Sequence, residues 1–457
     1  MADTKKFDYK LFWDWDHSTN WCLNTIGRQN TGVGNLYTKR PDEFERDYMR
    51  MIDWCAAHNI NACGVVGLLR DSHGGLESAR KICSYAREKG VILYIIAGLY
   101  AYGGMWYEGD NFLSLDRFLE QNPDCIAQDL DGGPRYIQFA QPHGWKRQPM
   151  ACPSNPKVKN FVLDTLAYLF MMLPELGGIQ MESGDCTPVC MCDKCRERRA
   201  GLKGGEGRIP NLSLSDMAGI YPEAASVVRS VSKDAMIICE MYIHPLNNQA
   251  FFDAENPAMK KLLSLPDDIF WQWSDRRIKP EMFESKTVMP EHLRKYRHIQ
   301  RFHYGTQWDG GRHTLVADQI SKIASFSCDF GMNALSMFGE CSPFHANTET
   351  NYLAMAYFAD HPHNSLNDFA QDVLAERWGG AELARRYLEL GIASRTPEKV
   401  PQAVKEIASI IPSLKDYDTL RRWSYVASFL NAYYWEYRQS NPAIAGERID
   451  LDFSESK

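Results

Sequence analysis

The 457-residue sequence lacks several features that would place it in a functional class directly. No apolar run approaches the ~18–20 residues that a membrane-spanning helix needs, and the longest, Val91–Leu99, has the length of a strand. Basic residues are not in excess, because 51 Lys and Arg stand against 58 Asp and Glu, which argues against nucleic acid as the main partner. No GxGxxG or Walker-type loop follows a strand-like segment, which weakens nucleotide-binding functions.

The N-terminus also lacks the apolar segment of a signal peptide, since the first residues lead directly to Phe7 and Tyr9. Most of the 13 cysteines sit singly in apolar segments, as reduced core thiols do. We therefore expect a cytoplasmic protein that is not associated with a membrane. The sequence says little about its oligomeric state, and nothing in it indicates an organic cofactor.

Short apolar runs alternate with longer amphipathic segments, a pattern typical of βα units and a parallel sheet. Eight such units predict an α/β fold, a (β/α)8 TIM barrel over residues 1–350, with a helical region over 351–457 packed on it. The predicted strands are Tyr9–Trp15, Ala62–Leu68, Ile92–Leu99, Gly178–Met181, Met236–Tyr242, Ile269–Trp273, Arg301–Trp308 and Ala334–Gly339.

Three glutamates follow predicted strands, at the end where a barrel places its active site. Glu182 ends the fourth strand, Glu240 the fifth and Glu340 the eighth. Cleavage of a glycosidic bond needs one carboxylic acid to protonate the leaving oxygen and a second carboxylate as nucleophile or base. We predict Glu182 as the acid and either Glu340 or Glu240 as its partner.

The chain is also rich in aromatic residues, at 12%, and many of them lie beside charged residues at the same strand ends. Aromatic faces next to carboxylates and histidines are what a sugar-binding cleft uses, although a large aromatic core would look similar. The predicted substrate-binding residues are Asp16, His17, Arg70, His73, Tyr102, Trp106, Asp185, Tyr242, Asp275, Trp308 and Asp309.

Four cysteines follow the fourth strand within ten residues, namely Cys186, Cys190, Cys192 and Cys195. Four thiolates at this spacing could surround a tetrahedral Zn²⁺, which would leave no open position and so be structural. Two disulfides, or thiols that bind nothing, are the alternatives.

The segment Glu182-Ser-Gly-Asp185, followed by the Cys190-x-Cys192-x-x-Cys195 motif, resembles the acid-bearing strand and Cys-rich loop of barrel proteins related to glycoside hydrolase family 20. The segment around Gly339-Glu340 is similar to the end of the barrel in that group. The resemblance covers residues 10–390 and implies a carbohydrate-active barrel with its acid at Glu182. Met181 stands where substrate-assisted members carry an Asp, so the resemblance does not extend to that mechanism or to N-acetylhexosamine specificity.

Two other functions fit the same strand ends. A metal-assisted sugar isomerase, epimerase or lyase would use a divalent site made by His17, His73, His244, Asp275 and Glu240. A barrel that binds glycans without cleaving them is the third possibility.

Overall fold

A computed structural model of the chain describes residues 6–16, 18–22, 40–106, 111–141, 144–182, 190–199, 214–243, 251, 253–274, 286–306 and 311–441. Eight parallel strands form a closed barrel, which confirms the predicted (β/α)8 fold. The barrel strands are β1 (Tyr9–Trp15), β2 (Ala62–Val66), β3 (Ile92–Gly98), β6 (Gly178–Glu182), β7 (Met236–Ile243), β8 (Phe270–Ser274), β9 (Arg297–Arg301) and β10 (Ala334–Phe338). Around the barrel they follow the order β1-β10-β9-β8-β7-β6-β3-β2. The excursion after β3 holds an antiparallel hairpin of β4 (Tyr136–Gln141) and β5 (Gly144–Pro149).

Helices follow the strands because their apolar residues recur on one face that packs on the barrel wall. The first, Pro41–Ala57, buries Phe44, Tyr48, Met51 and Cys55 along that face. In the described ranges, the other α-helices before the last strand are Gly75–Glu88, Leu115–Gln121, Pro156–Met172, Asp193–Arg199, Leu214–Val231, Pro257–Leu262 and Ala317–Phe330. No helix in the described ranges combines the length and apolar character needed to cross a membrane.

The seventh strand differs from its prediction, because β9 covers Arg297–Arg301 and ends where Arg301–Trp308 was expected to begin. The cause lies in His298 and Gln300, which are polar but buried. His298 accepts a hydrogen bond from Trp273 Nε1 at 3.0 Å, and its Nε2 lies 2.8 Å from the Leu293 carbonyl oxygen. Because these polar residues are buried with hydrogen-bond partners, the strand has no run of apolar residues by which a sequence pattern could detect it.

Alternate residues of each strand fill the barrel interior. Tyr94 of β3 crosses this interior beneath Gly64 of β2, where an added Cβ would lie 2.1 Å from the Tyr94 ring. Above this layer the interior becomes polar, with Gln180 and Glu182 of β6 and Glu240 of β7. The apolar lower part of the barrel thus supports a polar upper end.

After β10 the chain is helical, as predicted. The helix Ala346–Asp360 packs against β1 and β10 as the last helix of the barrel, and the predicted boundary at residue 350 falls inside it. The later helices begin with Leu366–Phe369 and Ala375–Trp378, which are joined by the π-helical segment Ala370–Leu374. The helices Ala381–Ala393, Val400–Ile410 and Tyr417–Ser440 follow. Arg422 of the last helix pairs with Glu349 at 2.8 and 3.0 Å, which ties this region to the barrel.

Candidate active site

Glu182, the last residue of β6, and Glu240 in β7 lie side by side. The two strands pair in register up to Met181 and Cys239, so the next residues on each are adjacent. Both carboxylates are buried, with Glu182 5% exposed and Glu240 0%. Strand alternation therefore brings together two of the three glutamates predicted from the sequence.

One amide nitrogen joins the two carboxylates. Gln180 Nε2 donates to Glu182 Oε1 at 2.8 Å and to Glu240 Oε2 at 3.2 Å. The two oxygens are therefore no more than about 6 Å apart. Gln272 Nε2 adds a hydrogen bond to Glu240 Oε2 at 2.5 Å.

Arg301, the last residue of β9, supplies the positive charge beside this pair. Its guanidinium lies 3.4 Å from Glu240 Oε2 and 3.9 Å from Glu182 Oε1. It also lies over the Trp13 ring, 5.1 Å from the centroid. A buried cation between two buried carboxylates offsets part of their repulsion.

Aromatic rings line the barrel beside the carboxylates. Trp13 packs edge-on to Trp15 at 5.6 Å and tilted against Phe338 at 4.8 Å. Tyr102, in the loop after β3, meets Trp15 edge-on at 6.2 Å and has a left-handed backbone, with φ of 58°. Strained backbone in a non-glycine residue concentrates at functional sites, and Tyr102 has the position predicted for a substrate contact.

Some buried polar atoms near the two carboxylates have no hydrogen-bond partner within the described structure. They include the donor Trp13 Nε1 and the acceptors Gln180 Oε1 and Gln272 Oε1. Buried polar groups are normally satisfied, so these atoms mark where a polar ligand or water would bind.

Glu340, the third predicted glutamate, has a different environment. It follows the end of β10 and is 2% exposed. Arg312 Nη2 donates to its Oε2 at 2.6 Å, and Ser18 Oγ donates to its Oε1 at 2.6 Å. The Trp15 amide lies 3.3 Å from the same Oε1. These contacts hold Glu340 in an ion pair with Arg312.

Asp16, Arg70 and His73, three predicted substrate-binding residues, come together and contact one another. Arg70 donates to both Asp16 oxygens, at 2.5 and 3.2 Å, and His73 Nδ1 lies 3.1 Å from Asp16 Oδ2. The three side chains are 0 to 5% exposed. Trp106 is buried in the larger apolar core.

Several predicted residues cannot be placed. Tyr242 lies in β7, but its side chain is outside the described part of the structure. The predicted residues outside the described ranges are His17, Asp185, Cys186, His244, Asp275, Trp308 and Asp309. The predicted divalent site is described only at His73 and Glu240, which have different partners.

A cluster of four thiols lies near the two loops that follow β3 and β6. Cys152, Cys190, Cys192 and Cys195 have sulfur atoms within 4.8 Å of one another. Cys152 Sγ is 3.6 Å from Cys190 Sγ and 3.7 Å from the other two. Three predicted ligands are therefore confirmed as one group that could hold a metal ion, and Cys152 completes it.

The surroundings of the cluster suit thiolates. The Gln128 amide donates to Cys190 Sγ at 3.3 Å, and Arg198 Nη2 lies 3.6 Å from Cys195 Sγ. Hydrogen bonding with the Cys152 and Cys195 thiols lowers the pKa of the Cys190 thiol. The thiolate is the form that binds metals.

Sequence reasoning missed Gln180, Gln272, Arg301 and Cys152. Gln180 could have been found, because it lies two residues before Glu182 and so shares its face of the strand. Arg301 was masked by the misplaced seventh strand. Cys152 lies 38 residues before Cys190, too far for a spacing motif to include it.

No family model matches the chain, and no curated protein matches it significantly. Among solved structures, it is similar to a GH138 enzyme targeting pectin rhamnogalacturonan II, with a TM-score of 0.52 and 10% identity. That match covers 97% of this chain, which spans 59% of the length of the GH138 enzyme. Cyclic α-maltosyl-(1→6)-maltose hydrolase from Arthrobacter globiformis has a TM-score of 0.44 at 12% identity, and the match covers 77% of this chain and 82% of the hydrolase.

An α-amylase from Geobacillus thermoleovorans gives a TM-score of 0.41 at 10% identity, covering 73% of this chain and 70% of its own. The chain shares its barrel fold with the GH138 enzyme. At these identities the likeness concerns the fold, and the resemblance to family 20 stays a prediction.

Proposed function

We propose that this protein is a glycoside hydrolase in which Glu182 is the general acid and Glu240 the nucleophile. The observation that carries this proposal is the pair of buried strand-end carboxylates joined by one amide nitrogen beside an aromatic wall. The barrel shared with the GH138 enzyme supports it at the level of the fold.

The surroundings of the two carboxylates support these separate roles. Glu240 accepts hydrogen bonds from two amides and lies closer to Arg301 than Glu182 does. Hydrogen-bond donors and a nearby cation stabilise an ionised carboxylate, which is the form that a nucleophile needs. Glu182 is the last residue of β6 and is 5% exposed, whereas Glu240 is 0% exposed, which suits Glu182 as the acid that must meet the leaving oxygen.

The close spacing favours a double displacement with retention. Two carboxyl groups ~5–5.5 Å apart are typical of retaining enzymes, whereas ~6.5–9.5 Å leaves room for the water of an inverting one. Here the nearest oxygens are at most about 6 Å apart. Glu240 attacks the anomeric carbon as Glu182 protonates the departing oxygen, and a covalent glycosyl–enzyme forms. Glu182 then takes a proton from water, which displaces Glu240 and releases the sugar.

A panel of aryl glycosides tests the reaction, with both anomers of hexoses, pentoses, uronic acids and N-acetylhexosamines. The proposal expects hydrolysis of at least one member, with the first sugar product formed in the anomeric configuration of the substrate, as NMR would record. Glu406→Gln serves as the control, because Glu406 pairs with Arg386 in the C-terminal helices. A product with inverted configuration would refute the role of Glu240 as nucleophile.

The leaving group separates the two roles. A highly acidic phenol departs without protonation, so Glu182→Gln should keep most of the rate of phenol release in the first turnover on such a substrate and lose ~10²–10⁴-fold on a poor leaving group. Later turnovers should be slow on both, because Glu182 is also the base that activates water. Glu240→Gln should lose activity on both, because no covalent intermediate can form. The opposite pattern would exchange the two roles.

We also propose that Cys152, Cys190, Cys192 and Cys195 bind one structural Zn²⁺. A regular tetrahedron with Zn–S bonds of ~2.3 Å has edges of about 3.8 Å. The three sulfur separations from Cys152, 3.6 to 3.7 Å, match this value, and all four sulfur atoms lie within 4.8 Å of one another. Four thiolates fill the coordination shell, so the ion would not contact substrate. Metal analysis of the purified protein should give one zinc per chain.

A further inference from the structure

The cysteine cluster lies between two loops that lead to the catalytic carboxylates. Cys152 comes three residues after β5, at the end of the excursion that follows β3. After β6, Cys190 and Cys192 precede the helix Asp193–Arg199, and Cys195 lies in its first turn. An ion in this cluster would connect segments that both begin at the active-site end of the barrel.

Two peptide hydrogen bonds lead from Cys152 to Glu182. The amide of Ala151, the residue before Cys152, donates to the Tyr100 carbonyl at 2.8 Å. The amide of Leu99, the residue before Tyr100, donates to the Glu182 carbonyl at 2.7 Å. The acid is thus joined to one metal ligand by a short run of backbone.

A second route leads from the cluster to Glu240. Arg199 Nη2 donates to the Cys190 carbonyl at 2.5 Å, and its neighbour Arg198 pairs with Asp216, which is 1% exposed on the helix Leu214–Val231. On the same helix the Tyr221 hydroxyl donates to the Glu240 carbonyl at 3.0 Å. A buried helix therefore connects the cluster with the nucleophile.

We propose that the four-cysteine centre acts as a positioning element that sets the separation of Glu182 and Glu240. This inference rests on the proposed glycosidase function and on the proposed zinc. The ion reaches Glu182 through the excursion after β3 and Glu240 through the helix Leu214–Val231. Loss of the ion frees the excursion after β3 and the helix Leu214–Val231 to move together, while the rest of the barrel keeps its own strand pairing.

The expected kinetic effect follows from geometry. A misplacement of about 1 Å can cost ~10²-fold in rate, whereas distant binding contacts stay intact. Removal of the metal should therefore lower kcat by ~10–100-fold and leave KM nearly unchanged. A centre that stabilises the fold alone would lower the melting temperature without this split between kcat and KM.

Hydrogen exchange tests the coupling without a substrate. We would compare the zinc-loaded protein, the protein stripped by chelator under reducing conditions, and the stripped protein reloaded with one equivalent of zinc. The amides of Leu99 and Ala151 should exchange at least tenfold faster after stripping and recover on reloading. The exchange rate of the Gly339 amide should not change. This amide donates to the Trp13 carbonyl at 3.2 Å, on the side of the barrel opposite β6 and β7.

Cys152→Ser provides the matched variant, with Cys83→Ser as control, because Cys83 is an equally buried thiol on the helix Gly75–Glu88. Cys152→Ser should lose zinc and reproduce the exchange of the stripped protein, and Cys83→Ser should resemble wild type. If no metal binds, the zinc proposal and this inference both fail. If metal binds but Leu99 and Ala151 exchange at the same rate without it, the inference alone fails. If hydrogen exchange responds to zinc but the protein hydrolyses no glycoside with retention of configuration, the glycosidase proposal fails.

Discussion

Glu182, Glu240 and Glu340 all follow barrel strands, yet their side chains have different partners. Glu182 and Glu240 share Gln180 and lie near Arg301. Glu340 follows β10, beyond the point where strand alternation fixes its direction, and pairs with Arg312 instead. Position at a strand end was therefore enough to nominate the three, but not to choose between them.

Glu340→Gln should act mainly on stability. Arg312 is 2% exposed, and the substitution removes the carboxylate that its Nη2 contacts at 2.6 Å. The expected loss is ~3–5 kcal/mol in the free energy of unfolding, the usual cost of breaking a buried pair. Urea unfolding of the purified variant measures it. An unchanged unfolding curve together with lost hydrolysis would instead place Glu340 in the chemistry.

At the scale of elements, strands rich in apolar residues were predicted almost to the residue, such as β3 and β10. The strand β9 was misplaced because His298 and Gln300 are buried through hydrogen bonds that no local pattern contains. Cys152 follows the hairpin of β4 and β5, in a segment where no strand was predicted, and this hairpin leads it to the thiol cluster. Contacts between distant segments, rather than local propensity, account for both differences.

The contact between the last helix and the barrel can be measured at one ion pair. Arg422 donates to both Glu349 oxygens, and both side chains are largely buried. We expect Arg422→Ala to cost ~1–3 kcal/mol, as for hydrogen bonds to charged groups. A double-mutant cycle with Glu349→Ala isolates the pair, and a coupling near zero would contradict this role.

For the whole molecule, the structure predicts that stability falls as the solution becomes acidic. Burial lowers the pKa of His298 to about 4, and burial together with Arg312 lowers that of His345 to about 4. Below pH ~6.5 the unfolded chain takes up protons at these histidines, whereas the folded chain does so only near pH 4. Each histidine therefore contributes a loss of up to about 1.4 kcal/mol per pH unit in this window.

Denaturant unfolding at several pH values between 4 and 7 checks this prediction. Carboxylates also contribute to acid unfolding, so the comparison is with His298→Gln and His345→Gln. Each variant should show a shallower dependence of unfolding free energy on pH than wild type. A double variant with the wild-type slope would contradict the assignment.

The position of Cys152 in the chain has a consequence for the order in which the protein assembles. Cys190, Cys192 and Cys195 are neighbours in sequence, so they can hold an ion before the barrel exists. Capture of Cys152, 38 residues earlier, closes a ring that contains the helix Pro156–Met172 and β6. Closing such a ring costs roughly 3 kcal/mol of chain entropy. With zinc bound, coordination energy offsets this cost, so the metal would guide the fourth barrel strand to its place beside the third.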